Sequence, residues 1–329
     1  MKKILILFFI IINITTKAWC SEKIDVLYTI DENYAIPCLL SINSILLNNT
    51  SNNDYTFYIM VNNLSAKKQN LIKNFIKKRN QNVVFIDIDT NFIKKFNYKS
   101  HNITYLTPIA AARLYADRYL PKDINKVIYL DSDTLINTDL VELYNINLEN
   151  NIAGLVLNIG NIPYSKKLYD FKNGYYNSGV ILLDLKKCRE EKCSYAFENY
   201  FTQNFQKFTI NPNEKKEYFY LIDQDLISII WDGKIKNLDE KWNMQEFNIT
   251  SEKGIFHYLG SLKPWLFKRN YKRNRIYLNY WDKAPELRKY KHYYLLKSFI
   301  KNYITNVIQI INKEKAYYLS ITSFFSQQK

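Results

Sequence analysis

Glycine and proline are scarce in this chain, seven of each in 329 residues, and nowhere do the glycines fall as G-x-G-x-x-G or as a Walker-type loop. A phosphate cradle made of glycine backbone is therefore excluded, and a phosphorylated ligand would have to be held by a metal and by side chains. The four cysteines, Cys20, Cys38, Cys188 and Cys193, are too few for a disulfide framework. Cys188 and Cys193 are close enough to bridge in an oxidising compartment, but without a second pair they are a weak zinc signal. Repeats and obvious linkers are missing. Acidic residues are nearly absent from the C-terminal end: residues 261–329 hold 15 Lys+Arg against 3 Asp+Glu, whereas residues 1–260 hold 31 against 28.

What is present is a globular composition, 47% hydrophobic and 16% aromatic, enough to bury one large core or two smaller ones. The basic excess is concentrated in RNYKRNRIYLNYW (269–281) and KHYYLLKSFIKNYITNVIQIINK (291–313). In the second stretch Leu296, Ile300, Tyr303/Ile304, Val307 and Ile311 recur at helical spacing, which predicts one apolar stripe on a basic helix. That combination suits an anionic membrane surface, and its alternative is a helix packed on the body with a solvated basic face. No helix-turn-helix, zinc-finger or RNA-recognition pattern accompanies the charge, so nucleic acid is not an expected partner.

The N-terminal MKKILILFFIIINITTKAWCSEK has lysines, an apolar run of about ten residues and then small residues, the layout of a secretory signal. The run is short for a membrane span, and residues 1–20 are expected to be a signal-like or anchoring leader. Beyond it, KIDVLYTI (23–30), YTFYIMV (55–61), NVVFIDI (82–88) and VIYL (127–130) read as strands. Helices are predicted near 36–48, 65–79 and 108–120. This alternation predicts a mostly parallel twisted sheet with helices on both faces, with ligands bound beyond the carboxyl ends of the strands.

Asp31 follows the first strand and Asp131 and Asp133 follow the fourth, at that edge. Two carboxylates one residue apart must face water or share a cation, and a hard divalent ion takes carboxylate oxygens. Further along, YNSGVILLDL (176–185) presents Asn177 at the mouth of a strand, and LIDQDLI (221–227) presents Asp223 and Gln224 at a helix start. FHYLGSLKPW (256–265) presents His257, one of three histidines, whose imidazole would complete a metal site begun by two carboxylates. Gly260 would let backbone approach a phosphate and Lys263 would supply charge.

In order and spacing, TIDENY (29–34), AARL (111–114), LDSDTL (130–135), NSGV (177–180), DQD (223–225) and HYLGSLKPW (257–265) resemble glycosyltransferase family 8. They are most similar to the bacterial lipopolysaccharide and lipooligosaccharide galactosyl- and glucosyltransferases, and more distantly to glycogenin. The resemblance covers residues 24–265 and implies a GT-A domain over 21–265 followed by a basic, aromatic, helical membrane-associating tail over 266–329. It implies Asp131, Asp133 and His257 as ligands of Mn²⁺, or Mg²⁺ in its place. Thr29, Asp31, Asn33 and Ser132 then match nucleotide contacts, Gly260 and Lys263 diphosphate contacts, and Arg113, Asn177, Asp223 and Gln224 residues around the transferred sugar.

The reaction implied is transfer of galactose or glucose from a UDP-sugar to a glycan or glycolipid hydroxyl, with retention. A front-face mechanism needs no strong base, while a double displacement would draw its nucleophile from Asp223 or Gln224. A non-catalytic, membrane-associated nucleotide-sugar-binding protein is the alternative. Tyr105 and Asn158 depart from the histidine and aspartate of the galactosyltransferases, so the acceptor does not carry over. Because nucleotide sugars are made in the cytosol, the expected location is the cytoplasmic face of a bacterial inner membrane, or a lumenal or exported one if the leader is cleaved.

Overall fold

A computed structural model of the protein describes residues 21–89, 91, 108–158, 173–204, 222–245, 253–260, 263–266, 271–300 and 304. The leader, Tyr105, and Tyr303, Val307 and Ile311 of the apolar stripe lie outside the described residues.

Strand β1 (Lys23–Ile30) shows how the sequence sorts into layers. Successive strand side chains point to opposite faces, and Ile24, Val26, Tyr28 and Ile30 enter one hydrophobic core while Leu27 enters another. Strands β2 (Asp54–Val61) and β4 (Lys126–Leu130) divide in the same way: Phe57, Ile59, Ile128 and Leu130 face the first core, and Tyr58, Met60, Val127 and Tyr129 the second. With β3 (Asn82–Asp87), β6 (Ala153–Leu157), β7 (Tyr176–Asp184) and β8 (Ile235–Asn237) they form a seven-stranded sheet of order β3-β2-β1-β4-β7-β6-β8. The pairs β1–β2, β2–β3, β1–β4 and β6–β8 are parallel, and β7 alone runs antiparallel, to both β4 and β6. A small sheet, order β5-β10-β9, joins β5 (Thr134–Ile136), β9 (Met244–Gln245) and β10 (Ile255–His257).

Helix α1 (Ala35–Leu47) is buried from Ala35 through Ile45, so it has no solvent face and no amphipathic pattern. Its polar residues are used internally: Ser41 Oγ lies 2.8 Å from Tyr28 Oη, Ser44 Oγ accepts the Ile136 N–H at 2.9 Å, and Asn43 Nδ2 donates to the Tyr280 carbonyl at 3.2 Å. Helix α2 (Ala66–Lys77) is amphipathic, burying Ile72, Phe75 and Ile76. The second core is covered by α3 (Ala116–Tyr119), α5 (Leu185–Glu190), α6 (Cys193–Gln203) and α7 (Ile222–Ile230), while a short α4 (Val141–Tyr144) follows β5. The helix predicted over 108–120 is instead a 3₁₀ stretch, Pro108–Tyr115, with the single turn of α3 behind it. Cys188 and Cys193 are buried free thiols.

C-terminal to the sheets, α8 (Tyr271–Asp282) and the turn Pro285–Leu287 place Tyr277, Trp281, Ala284 and Leu287 in the first core. Trp281 Nε1 donates to the Leu287 carbonyl at 3.0 Å. Residues 288–300 are helical, with Tyr290 and Tyr294 packed on that core. Tyr293, Leu295, Leu296, Phe299 and Ile300 of this stretch are exposed, as is Ile304. Among the described residues no helix is long and apolar enough to cross a membrane.

Candidate active site

The site forms where β4 ends and β7 begins. Because β7 is antiparallel, its start lies at the carboxyl edge of its parallel neighbours, with Leu130 opposite Val180 and the Asp131 N–H donating to the Gly179 carbonyl at 2.8 Å. Asp131 keeps the phase of Val127 and Tyr129, so its side chain points to the face covered by the 3₁₀ stretch that carries Arg113. The chain then turns directly into β5, whose antiparallel partner β10 sets His257 opposite Thr134. Tyr258 N–H donates to the Asp133 carbonyl at 3.0 Å, which fixes the histidine beside the second aspartate.

The predicted triad is assembled: one ligand atom each from Asp131, Asp133 and His257 lies within 4.8 Å of the others. His257 Nε2 is 3.7 Å from Asp131 Oδ2 and 3.3 Å from Asp133 Oδ1. Adjacent ligands of a hard octahedral ion at about 2.1 Å stand about 3 Å apart, so the donor set and its spacing fit a small divalent cation. The remaining carboxylate oxygens have other partners. Asp131 Oδ1 accepts from Tyr129 Oη at 2.6 Å and pairs with Arg113 Nη2 at 2.9 Å, and Asp133 Oδ2 is ion-paired with Lys263 Nζ.

Burial makes this pairing matter. The Arg113 side chain is 4% exposed, and it bridges Asp131 to Asp223, whose Oδ2 lies 3.2 Å from Nη1. Desolvation works against the guanidinium's charge, but Asp131 and Asp223 outweigh it and raise the Arg113 pKa. For Asp131 burial wins, and its carboxyl is pushed above the usual range although Arg113 opposes the shift. Burial also acts to raise Asp133, but the Lys263 ammonium outweighs it and holds that carboxyl well below the usual range. The two acids of D-S-D therefore differ electrostatically: one is compensated by a lysine, and the other shares an arginine with Asp223.

The other predicted residues fall around this centre. Asn177 Oδ1 accepts the Gly179 N–H at 2.9 Å; Gln224 Oε1 accepts the Ser178 N–H at 3.3 Å, and Asp223 Oδ2 accepts from Ser178 Oγ at 2.8 Å. Thr29 Oγ1 lies 3.0 Å from Tyr129 Oη, joining the β1 edge to the same network. Asp31 Oδ1 accepts the N–H groups of Asn33 and Tyr34 at 2.8 and 3.1 Å, and Asn33 is exposed. Ser132 is buried with its hydroxyl beside the Cys38 thiol. Gly260 has φ +72° with nothing within 4 Å of a Cβ position, a left-handed residue facing open space.

Two residues missed by the sequence reading matter here. Tyr129 donates to Asp131 and lies under the Arg113 guanidinium, 4.4 Å from ring centroid to Cζ; the two-residue spacing on one strand face was the available signal. Asn243, wholly buried, bonds both Asn177 and His257, and no motif marked it.

The mixed sheet, with paired acids and a histidine gathered at its carboxyl edge, has the architecture of GT-A glycosyltransferases. The chain belongs to glycosyl transferase family 8, whose model matches residues 25–269. It is similar to a lipopolysaccharide 1,2-glucosyltransferase of Escherichia coli, 24% identical over 87% of this chain and 90% of that one. It is also similar to a lipopolysaccharide 1,3-galactosyltransferase of Salmonella typhimurium, 25% identical over 74% of each. The fold matches that of the galactosyltransferase LgtC, crystallised with donor and acceptor sugar analogs, at a TM-score of 0.66 and 20% identity over 81% of this chain and 99% of LgtC.

Proposed function

We propose that the protein transfers galactose or glucose from a UDP-sugar to a hydroxyl of a glycan or lipopolysaccharide-type acceptor, with retention at the anomeric carbon and dependence on Mn²⁺ or Mg²⁺. The observation that carries this reading is the convergence of Asp131 Oδ2, Asp133 Oδ1 and His257 Nε2 at the sheet edge. The similarity to lipopolysaccharide glucosyl- and galactosyltransferases supports the same chemistry. Bound by those three residues, a divalent ion supplies positive charge to the diphosphate leaving group. Lys263 sits beside Asp133 as a second, fixed cation for the same group. Gly260 lets the backbone approach the phosphates, and Asp31, with Oδ1 occupied by its own turn, offers Oδ2 to the uracil N–H.

Around the sugar, Asn177 and Gln224 are the amides that orient hydroxyls. Arg113 acts by holding Asp131 and Asp223 rather than by meeting phosphate, since both carboxylates already neutralise it. Asp223 Oδ2 is engaged by Arg113 and Ser178, and an amide is a weak nucleophile, which favours front-face transfer in which the departing phosphate oxygen takes the acceptor proton. The exposed face of 288–300, with Lys289 and Lys297 beside Leu296 and Phe299, supports docking on an anionic membrane. The location proposed is the cytoplasmic face of the inner membrane, where UDP-sugars are made.

The test is UDP release by the full-length chain from UDP-galactose and UDP-glucose, with and without Mn²⁺. Metal-dependent UDP from one sugar is the expected result. No UDP from either sugar, with or without a lipooligosaccharide acceptor, together with no thermal shift from UDP plus Mn²⁺, would overturn the reading. Binding of UDP-sugar without turnover would favour the non-catalytic alternative.

A further inference from the structure

Asn243 is 0% exposed and lies behind the triad without supplying a ligand atom. It ends the 3₁₀ turn Glu240–Asn243, just before β9, which pairs in parallel with β10 so that Gln245 stands opposite His257. The neighbouring Trp242 anchors the turn in the first core, and Asp239 Oδ1 accepts the Lys241 N–H at 2.8 Å at its start. Gly254 lets the turn close on the next strand: a Cβ there would lie 2.3 Å from the Lys241 carbonyl oxygen.

The direction of every hydrogen bond through Asn243 follows from one backbone group. The Gly179 N–H can only donate, and it donates to Asn177 Oδ1, which orients the Asn177 amide. The same Oδ1 accepts from Asn243 Nδ2 at 2.8 Å, so Asn243 turns its Oδ1 to His257 Nδ1 at 2.9 Å. An amide oxygen only accepts, and Nδ1 therefore carries the ring proton, leaving the Nε2 lone pair toward Asp131 and Asp133. Gly179 also makes room for the ring, because a Cβ at that position would stand 2.0 Å from His257 Cε1.

We propose that Asn243 is a positioning residue that fixes the tautomer and ring plane of His257, presenting a bare Nε2 to a divalent cation, and that it ties this ligand to the sugar-side amide of Asn177. The proposal rests on the reading of the triad as a metal centre. Hydrogen-bonding partners of a ligating histidine typically govern metal affinity by about 10- to 100-fold.

The experiment is long-range ¹H–¹⁵N NMR of the metal-free, full-length protein at a pH where the ring is neutral, with His257 assigned among the three histidines by the signal lost in His257→Asn. The wild type is expected to show the Nδ1–H tautomer alone. Asn243→Ala should give a tautomer mixture and weaken Mn²⁺ binding, read from the EPR signal of the free ion, by about 10- to 100-fold. Asn243→Asp, which still accepts from Nδ1, should keep the tautomer. An Nε2–H tautomer or an even mixture in the wild type would overturn the proposal whether or not the variants fold, as would an Asn243→Ala protein with unchanged tautomer and Mn²⁺ affinity. Absence of Mn²⁺ binding to the wild type would overturn the metal centre itself, and is told apart from failure of the relay because the tautomer is read without metal.

Discussion

Lysines do opposite work in two regions of this molecule. Lys263 is buried at the sheet edge and ion-paired with Asp133, within a set of charges in which Arg113 also serves Asp131 and Asp223. Lys289 and Lys297 in the C-terminal helix are exposed, and the apolar side chains near them face solvent too. At the edge each charge is held by its neighbours, so removing one strands another in a poorly solvated place. On the C-terminal helix the exposed lysines are held loosely, Lys289 lying over the Tyr290 ring at 5.3 Å, and their contribution depends on what surface and salt surround them. The first arrangement suits chemistry, which needs fixed fields, and the second suits docking, which needs area and net charge.

The largest expected effect is at the triad. His257→Ala should lower metal-dependent UDP release by about 10²- to 10³-fold or more, and it also leaves the buried Asn243 Oδ1 without its partner, an expected cost of about 1–3 kcal/mol in unfolding. Full activity in that variant would remove His257 from the metal set. Arg113→Met comes next: it leaves buried Asp223 and half-buried Asp131 without their cation, an expected cost of about 3 kcal/mol in urea unfolding at neutral pH. Burial already pushes the Asp131 carboxyl up, and losing the guanidinium raises it further. A carboxyl raised in the folded state penalises folding increasingly as pH rises from its unfolded pKa to the raised folded value, fully above that, and not at all in acid below both. The gap between Arg113→Met and wild type should therefore narrow as pH falls through the carboxylate range, and a gap that widens would contradict the assignment.

The edge was legible in the sequence to different depths. Strands β1 to β4 were visible because hydrophobic runs ended at acidic or turn residues, and D-S-D stood out because paired acids at the end of an apolar strand need an explanation. The helical form of 108–120 was misjudged, because apolar and alanine-rich spacing does not separate a 3₁₀ stretch from an α-helix. The antiparallel direction of β7 left no trace in composition, yet it brings Asn177 and Ser178 to the edge. Asn243 was hidden for a related reason: its importance comes from strand pairing between β9 and β10, and a single asparagine beside a tryptophan has no local signature. In the C-terminal stretch the periodicity of Leu296 and Ile300 was readable, whereas the share taken by the core, Tyr277 and Trp281, depended on where α8 lies against α1.

On the docking side the effects are smaller. Leu296→Asp combined with Phe299→Asp should weaken binding to anionic vesicles by about 10-fold or more, from the loss of two inserting side chains worth about 1.5–3 kcal/mol each when fully buried. UDP release in solution should not change. Vesicle binding equal to wild type would show that this face meets something other than lipid.

The smallest effect concerns how the C-terminal stretch is fastened. Glu286 meets Arg79 at the end of α2 through two hydrogen bonds of 3.3 Å, with the carboxylate side chain 30% exposed. Burial would raise this carboxyl, but its own backbone N–H and the Arg79 guanidinium outweigh it and lower it. A lowered carboxyl contributes stability that is present above its unfolded pKa and lost as pH falls through the folded value. Exposure limits the contribution, so a double-mutant cycle of Arg79→Met and Glu286→Gln should give about 0.5 kcal/mol or less, shrinking further in high salt. A coupling above about 1 kcal/mol that survives salt would mean that the ion pair, and not the burial of Tyr277 and Trp281, clamps this stretch to the body. The expected small value would leave aromatic packing as the clamp and the basic residues beyond it available to a membrane.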